Sequence, residues 1–198
     1  MTYSRRILDA IALAYDLHKD QIRKCGEAPY MTHLLTVASL VGEYGGKEEQ
    51  FIAAMLHDAV EDQGGKVVLE QIRDAFGDTV AELVWACTDA WGEPKPPWRE
   101  RKEAHIARIE TAPMDARLII AADKLHNLQS VLRTYDPQHD GAYWQNFRGG
   151  REGTLWYYHA MGEALQVDWQ HPILVELEEA REALFFRVAE APTVVDSP

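Results

Sequence analysis

Apolar positions recur every three or four residues along most of the chain, the spacing of helices that bury one face. The first run covers residues 3–19, with Ile7, Leu8, Ile11, Ala14, Tyr15 and His18 along one side. Gly26, Ala28 and Pro29 interrupt it, and Thr32 is placed to cap a second helix that ends near Glu43, before Gly45 and Gly46. A third helix is predicted over residues 48–57. After the break at Gly64 and Gly65, two short helices are predicted over 69–76 and 78–89, parted by Gly77 with Asp78 as a cap. The stretch Trp91 to Trp98 (WGEPKPPW) contains three prolines and reads as a loop. Further helices are predicted over 99–110, 114–135, 152–167 and 172–190, with a long polar, glycine-bearing loop over 136–150. No segment alternates with a strand's period of two. The pattern therefore predicts an all-α fold of about nine helices, one domain over residues 1–190 and a flexible tail at 191–198.

Composition narrows the classes. The 198 residues include 20 Lys+Arg against 32 Asp+Glu, a formal net charge of −12. That balance disfavours nucleic acid and anionic membranes as partners, since both reward excess positive charge. A hydrophobic fraction of 46% is enough for a sizeable core. No uncharged apolar run approaches the roughly 18 residues of a membrane span. Residues 1–10 carry Arg5, Arg6 and Asp9 and no signal-peptide apolar region, so a cytoplasmic location is expected. Cys25 and Cys87 are too few for a disulfide scaffold and are expected to be ordinary thiols.

Three stretches carry more than helical packing. In the first, Arg23 and Lys24 precede Pro29-Tyr30-Met31-Thr32-His33, which places His33 in the first turn of a helix. In the second, an apolar helix ends on His57-Asp58, with Glu61-Asp62 following. Asp58 and Asp62 are one helical turn apart, where like charges repel. Such a cluster at the end of a buried helix needs positive charge nearby, and a divalent cation bound by imidazole and carboxylate supplies it. A solvated, fraying helix end is the competing reading. In the third stretch, Asp123 follows the most apolar run in the chain, Leu118 to Ala122, with Asn127 one turn on. A carboxylate there is costly to bury unless paired or metal-bound. Lys124 is the alternative partner, although neighbours in sequence project about 100° apart around a helix. His33 alone fits a polar core or cap role. With His57, Asp58 and Asp123 it makes two imidazoles and two carboxylates from separate helices, a set suited to a first-row divalent ion.

The order His33, His57-Asp58, Asp123 resembles the H…HD…D signature of HD-domain metal-dependent phosphohydrolases. The surrounding words are similar to the hydrolase domain of RelA/SpoT homologues, and to the stand-alone alarmone hydrolases among them. These words are Ala14 to Lys24, Pro29-Tyr30-Met31-Thr32-His33, Leu56-His57-Asp58-Ala59-Val60-Glu61-Asp62 and Ala122-Asp123-Lys124-Leu125-His126-Asn127-Leu128. The resemblance implies His33, His57, Asp58 and Asp123 as ligands of Mn²⁺. It implies Glu61 and Asp62 as the pair that positions or activates water, and Asn127 and Ser130 near the scissile phosphate and sugar. It also implies Arg23 and Lys24 at the nucleotide and, from Thr154-Leu155-Trp156-Tyr157-Tyr158, Tyr158 at the substrate mouth. The implied activity is release of pyrophosphate from the 3′ position of guanosine tetra- and pentaphosphate.

Some features stand outside that resemblance. Arg101 and Lys102 are either a solvated helix face or cations reaching over the nucleotide. His18 and His126 read as buried structural histidines; His105, His139, His159 and His171 carry no signal. Loops 91–98 and 136–150 match no family motif. Two other functions remain open at this stage: a phosphohydrolase of another nucleotide (an adenine alarmone, NADPH or a deoxynucleotide), and a toxin-neutralising binding partner. The sequence leaves the oligomeric state unspecified.

Overall fold

The computed structural model describes residues 2–24, 26–90, 92, 94–109 and 111–191. Cys25 and the tail at 192–198 therefore lie outside the described residues. Eleven α-helices are present among those described: α1 (Arg6–His18), α2 (Met31–Glu43), α3 (Glu48–Leu56), α4 (Ala59–Gln63), α5 (Gly65–Phe76), α6 (Asp78–Cys87), α7 (Trp98–Ile109), α8 (Met114–Thr134), α9 (Asp140–Trp144), α10 (Gly150–Gln166) and α11 (Ile173–Ala189). No strand forms among the described residues, and one isolated bridge joins Ile22 to Pro29. The all-α expectation holds.

The centre of the fold is α8. Its middle, from Leu118 to Ala122, is buried on every side, as the unbroken apolar run requires. It packs against α2, α3, α6, α10 and α11. α3 lies between α1, α2 and α6, and Ile52 to Leu56 along it are fully buried. Asp123 is thus held by a helix that cannot rotate without exposing its core. None of the described helices is long and apolar enough to cross a membrane.

Differences from the sequence expectations have local causes. The predicted third helix breaks at His57 and Asp58, a two-residue turn before the short helix α4. Thr32 is not the cap of α2: its hydroxyl donates back to Pro29 O over 2.8 Å, and Tyr30 holds the N-cap position. α5 starts at Gly65, four residues earlier than its apolar pattern begins. Gly77, at φ +90°, turns the chain between α5 and α6 in a conformation that favours glycine.

The polar segment 136–150 is more ordered than its composition suggests. A 3₁₀ turn (Pro137–His139) leads into α9. Asp140 Oδ1 accepts from the Tyr135 hydroxyl at 2.5 Å and from Trp144 Nε1 at 2.7 Å. Tyr143 and Phe147 pack on the same aromatic cluster. This anchors the segment against the C-terminal end of α8 and makes it one wall of a cleft.

Candidate active site

The four sequence-predicted ligands meet at the floor of a cleft of about 380 Å³. His33 comes from the first turn of α2, His57 and Asp58 from the α3–α4 turn, and Asp123 from the middle of α8. Their approach is close. His57 Nε2 lies 3.0 Å from Asp58 Oδ2 and 3.7 Å from Asp123 Oδ1; His33 Nε2 lies 3.4 Å and 3.2 Å from the same two atoms. Both histidines are buried, and neither Nε2 makes a well-aligned hydrogen bond.

Each imidazole is oriented through its other nitrogen. His57 Nδ1 donates to Ala54 O over 2.8 Å, which turns Nε2 toward the carboxylates. His33 Nδ1 lies 2.6 Å from His126 Nδ1, and the two rings stack. The carboxylates are steadied too. Tyr30 Oη donates to Asp58 Oδ2 at 2.7 Å, and Asn127 Nδ2 donates to Asp123 Oδ1. Lys124 does reach Asp123: Nζ is 2.5 Å from Oδ2. The flexible lysine stem overcomes the angular offset between neighbouring helix positions.

Charge in this cluster calls for a cation. Burial raises the Asp58 carboxyl, but the facing His57 and His33 outweigh it and hold it well below the usual carboxylate range. Burial opposes charge on His57, yet Asp58 and Asp123 raise its pKa well above the ordinary value. Two orphaned imidazole nitrogens and two ionised carboxylates within a few ångströms are a suitable donor set for a small divalent ion, whose ligand distances are about 2.0–2.2 Å. His33, His57 and Asp58 alone bring ligand atoms within 4.8 Å of one another. The residues present fit a metal.

Glu61 and Asp62 stand beside this floor on α4. Burial, and then Asp89, push the Glu61 carboxyl up to about 7 against the pull of Lys102. Burial and Asp58 likewise raise Asp62, which accepts from Gln21 Nε2 at 2.8 Å. Arg23 donates to Asn127 Oδ1 at 2.6 Å, so a chain of hydrogen bonds runs from Arg23 through Asn127 to Asp123. Lys24, Ser130 and Tyr158 also line the cleft. All eleven sequence-predicted site residues therefore lie in or around one cavity.

Several further residues line the cleft, some of which the sequence left open or did not mark. Asp89, just beyond α6, is buried and binds Arg101 at 2.7 Å and Lys102 at 2.5 Å. Arg101 is itself only 6% exposed and the Lys102 side chain is half-buried or more, so these two cations are not a solvated face. Arg101 also lies 3.8 Å from Glu61 Oε1. Lys95, from the proline-rich loop, donates to Glu61 O at 3.0 Å. His105 and Tyr157 complete the inner wall. The one usable sequence signal was Asp89, an acid just beyond the apolar helix α6, much as Asp123 follows the apolar run Leu118 to Ala122. His18 and His126 are buried as expected.

The family pattern described as HD domain matches residues 10–146. A probable guanosine-3′,5′-bis(diphosphate) 3′-pyrophosphohydrolase of Synechocystis is 38% identical over 128 residues, 63% of this chain and 16% of that protein. The protein MESH1 of Xenopus tropicalis, named a guanosine-3′,5′-bis(diphosphate) 3′-pyrophosphohydrolase, is 37% identical over 64% of this chain and 70% of its own. The bifunctional (p)ppGpp synthase/hydrolase SpoT of Escherichia coli is 33% identical over 88% of this chain and 23% of its own. The chain thus spans less than a quarter of these two bacterial relatives. Among solved structures, a metazoan orthologue of SpoT described as hydrolysing ppGpp superposes with a TM-score of 0.76 at 26% identity, covering 92% of this chain and 97% of that one. The sequence match runs across the elements that bring His33, His57, Asp58 and Asp123 together, and on that evidence the chain belongs to the HD domain family.

Proposed function

We propose that this protein is a Mn²⁺-dependent, cytoplasmic 3′-pyrophosphohydrolase of guanosine tetra- and pentaphosphate. One observation carries the reading. Two orphaned imidazole nitrogens and two carboxylates converge under a cleft whose walls supply both a proton acceptor and cations. The names of the similar proteins support the same substrate. The partner is a small nucleotide; neither nucleic acid nor membrane enters the reading.

His33, His57, Asp58 and Asp123 would hold the cation. When bound, it acidifies a water molecule and polarises a phosphoryl oxygen. The remaining work falls to the chain. Glu61, with its carboxyl near neutrality, accepts the water's proton at working pH. Asp62, fixed by Gln21, orients that water. The water oxygen bonds to the phosphorus on the ribose 3′ oxygen, the P–O3′ bond breaks, and the proton held by Glu61 passes to the departing 3′ oxygen. The products are pyrophosphate and a guanosine 5′-phosphate ester. Arg23 and Lys24 neutralise phosphate charge, and Asn127 fixes Arg23 relative to Asp123. Ser130 and Tyr158 bound the sugar side.

The test is a nucleotide panel with purified protein and Mn²⁺. Release of pyrophosphate from guanosine 3′,5′-bis(diphosphate), abolished by chelator, is expected. Release of orthophosphate alone from NADPH or a mononucleotide, with the guanine alarmone untouched, would overturn the reading. So would neutralisation of a toxin partner by a catalytically dead Asp58→Ala chain with no hydrolysis by the wild type.

A further inference from the structure

Two buried polar groups of the cleft wall have no partner. The Tyr157 hydroxyl and both ring nitrogens of His105 make no hydrogen bond, although the residues are only 7% and 2% exposed. Folded proteins rarely leave such groups unmatched unless something else meets them. Both residues line the cleft. They come from different helices, His105 from α7 and Tyr157 from α10.

The groups around them are cationic. Lys102 Nζ lies 4.8 Å and Lys124 Nζ 5.5 Å from the Tyr157 ring centroid. Lys102 shares the single carboxylate of Asp89 with Arg101, two cations on one anion. Lys124 is tied to Asp123, so this wall adjoins the four-ligand cluster directly. Burial, then Lys124 and Lys102, push His105 down to about 3, which keeps its ring neutral with one N–H to donate. A phenol O–H, an imidazole N–H and two ammonium groups around one space match a ligand with several anionic oxygens.

We propose that Tyr157, His105, Lys102 and Lys124 form a diphosphate subsite beside the four-ligand cluster, which holds the outer phosphate of the 3′-pyrophosphate group. The proposal rests on the pyrophosphohydrolase reading and refines it. With the outer phosphate anchored on this wall, the inner phosphorus falls next to Glu61 and the cluster. Cleavage then takes place at the ribose ester and not between the two phosphates.

Calorimetric titration of the Mn²⁺-loaded protein with inorganic pyrophosphate, and separately with orthophosphate, tests this. The wild type is expected to bind pyrophosphate at least about tenfold more tightly than orthophosphate, from the extra charge-assisted hydrogen bonds. Tyr157→Phe and His105→Phe keep the rings and remove the polar atoms. Each is expected to weaken pyrophosphate binding about tenfold while leaving orthophosphate binding within about twofold. The two variants act independently, so a folding defect in one, seen by circular dichroism, leaves the other to decide. Unchanged pyrophosphate affinity in a folded variant overturns the subsite, as does a wild type that binds the two anions equally. Hydrolysis of the alarmone with unaltered pyrophosphate binding in the variants removes the subsite alone. Pyrophosphate binding that depends on Tyr157 and His105 without any hydrolysis removes the enzymatic reading alone.

Discussion

The Tyr30 hydroxyl donates to Asp58 Oδ2 over 2.7 Å, and this contact fixes the more exposed of the two carboxylates facing the imidazoles. Asp58 Oδ2 is also the oxygen nearest His57 Nε2, at 3.0 Å. Tyr30→Phe removes the donor and leaves every proposed ligand in place. A loss of about 10–100-fold in Mn²⁺ affinity is expected, the usual size for an outer partner of a metal ligand. Titration calorimetry with Mn²⁺ checks it, and wild-type affinity in the variant would show that the tyrosine merely fills space.

His57→Ala and Asp123→Asn each remove one proposed ligand. Mn²⁺ binding and hydrolysis are both expected to fall by at least about a thousandfold, because the cation and the chemistry depend on the same cluster. Saturating Mn²⁺ is expected to raise the melting temperature of the wild type, since a ligand that binds only the folded state stabilises it. Neither variant should show that rise. Activity retained in either one would sink the ligand assignment.

Glu61 predicts the pH dependence. Its carboxyl is pushed up to about 7 by burial and Asp89, and it must be ionised to take a proton. Activity should rise with pH through an acidic limb at or somewhat below about 7, since a bound cation lowers the value further. Glu61→Gln should remove that limb along with most of the rate. Stability of the metal-free protein follows the opposite sign. The folded pKa is raised, so the folded state binds more protons than the unfolded between about pH 4.3 and 7, and stability falls as pH rises through that window. Glu61→Gln should therefore be more stable than wild type at pH 8, by roughly 1–3 kcal/mol, and lose that advantage near pH 4. Urea melts at both pH values test the sign.

Asp89 is predicted to matter for folding. It is buried between Arg101 and Lys102. Asp89→Asn leaves two buried cations without their carboxylate, and a loss of about 3–5 kcal/mol is expected. Chemical denaturation measures it; a change under about 1 kcal/mol would mean that Glu61 takes over as their partner.

Gly149 sits against Trp98 at the cleft. A Cβ there would lie 2.6 Å from Trp98 Cη2, and α10 starts at the next residue. Gly149→Ala should displace the indole, cost about 1–3 kcal/mol and shift tryptophan fluorescence. Unchanged emission and stability would show that the indole yields freely.

Legibility differed between parts of the molecule for physical reasons. Helices with a long apolar face, such as α2, α8 and α11, were readable because burial imposes a period of 3.6 residues. The helices missed, α4 and α9, are five residues each, too short to display a period. α9 is held by Asp140 accepting from Tyr135 and Trp144, a contact between positions that carry no periodic signal. The expectation that Lys124 would project away from Asp123 failed because helix geometry orients Cβ and leaves four further carbons free to bend.

The sequence by itself determined the all-α class and the buried helix that carries Asp123, and it marked His33, His57, Asp58 and Asp123 as the side chains to watch. These are encoded locally, in apolar spacing and in polar residues placed where burial makes them costly. Tertiary structure alone decided that Asp89, Lys95, His105 and Tyr157 surround the same cleft, and it settled which of two readings holds for Arg101 and Lys102. Each is unremarkable in its own segment, and its role comes from charge and unmatched hydrogen-bonding groups brought together by helices far apart in the chain.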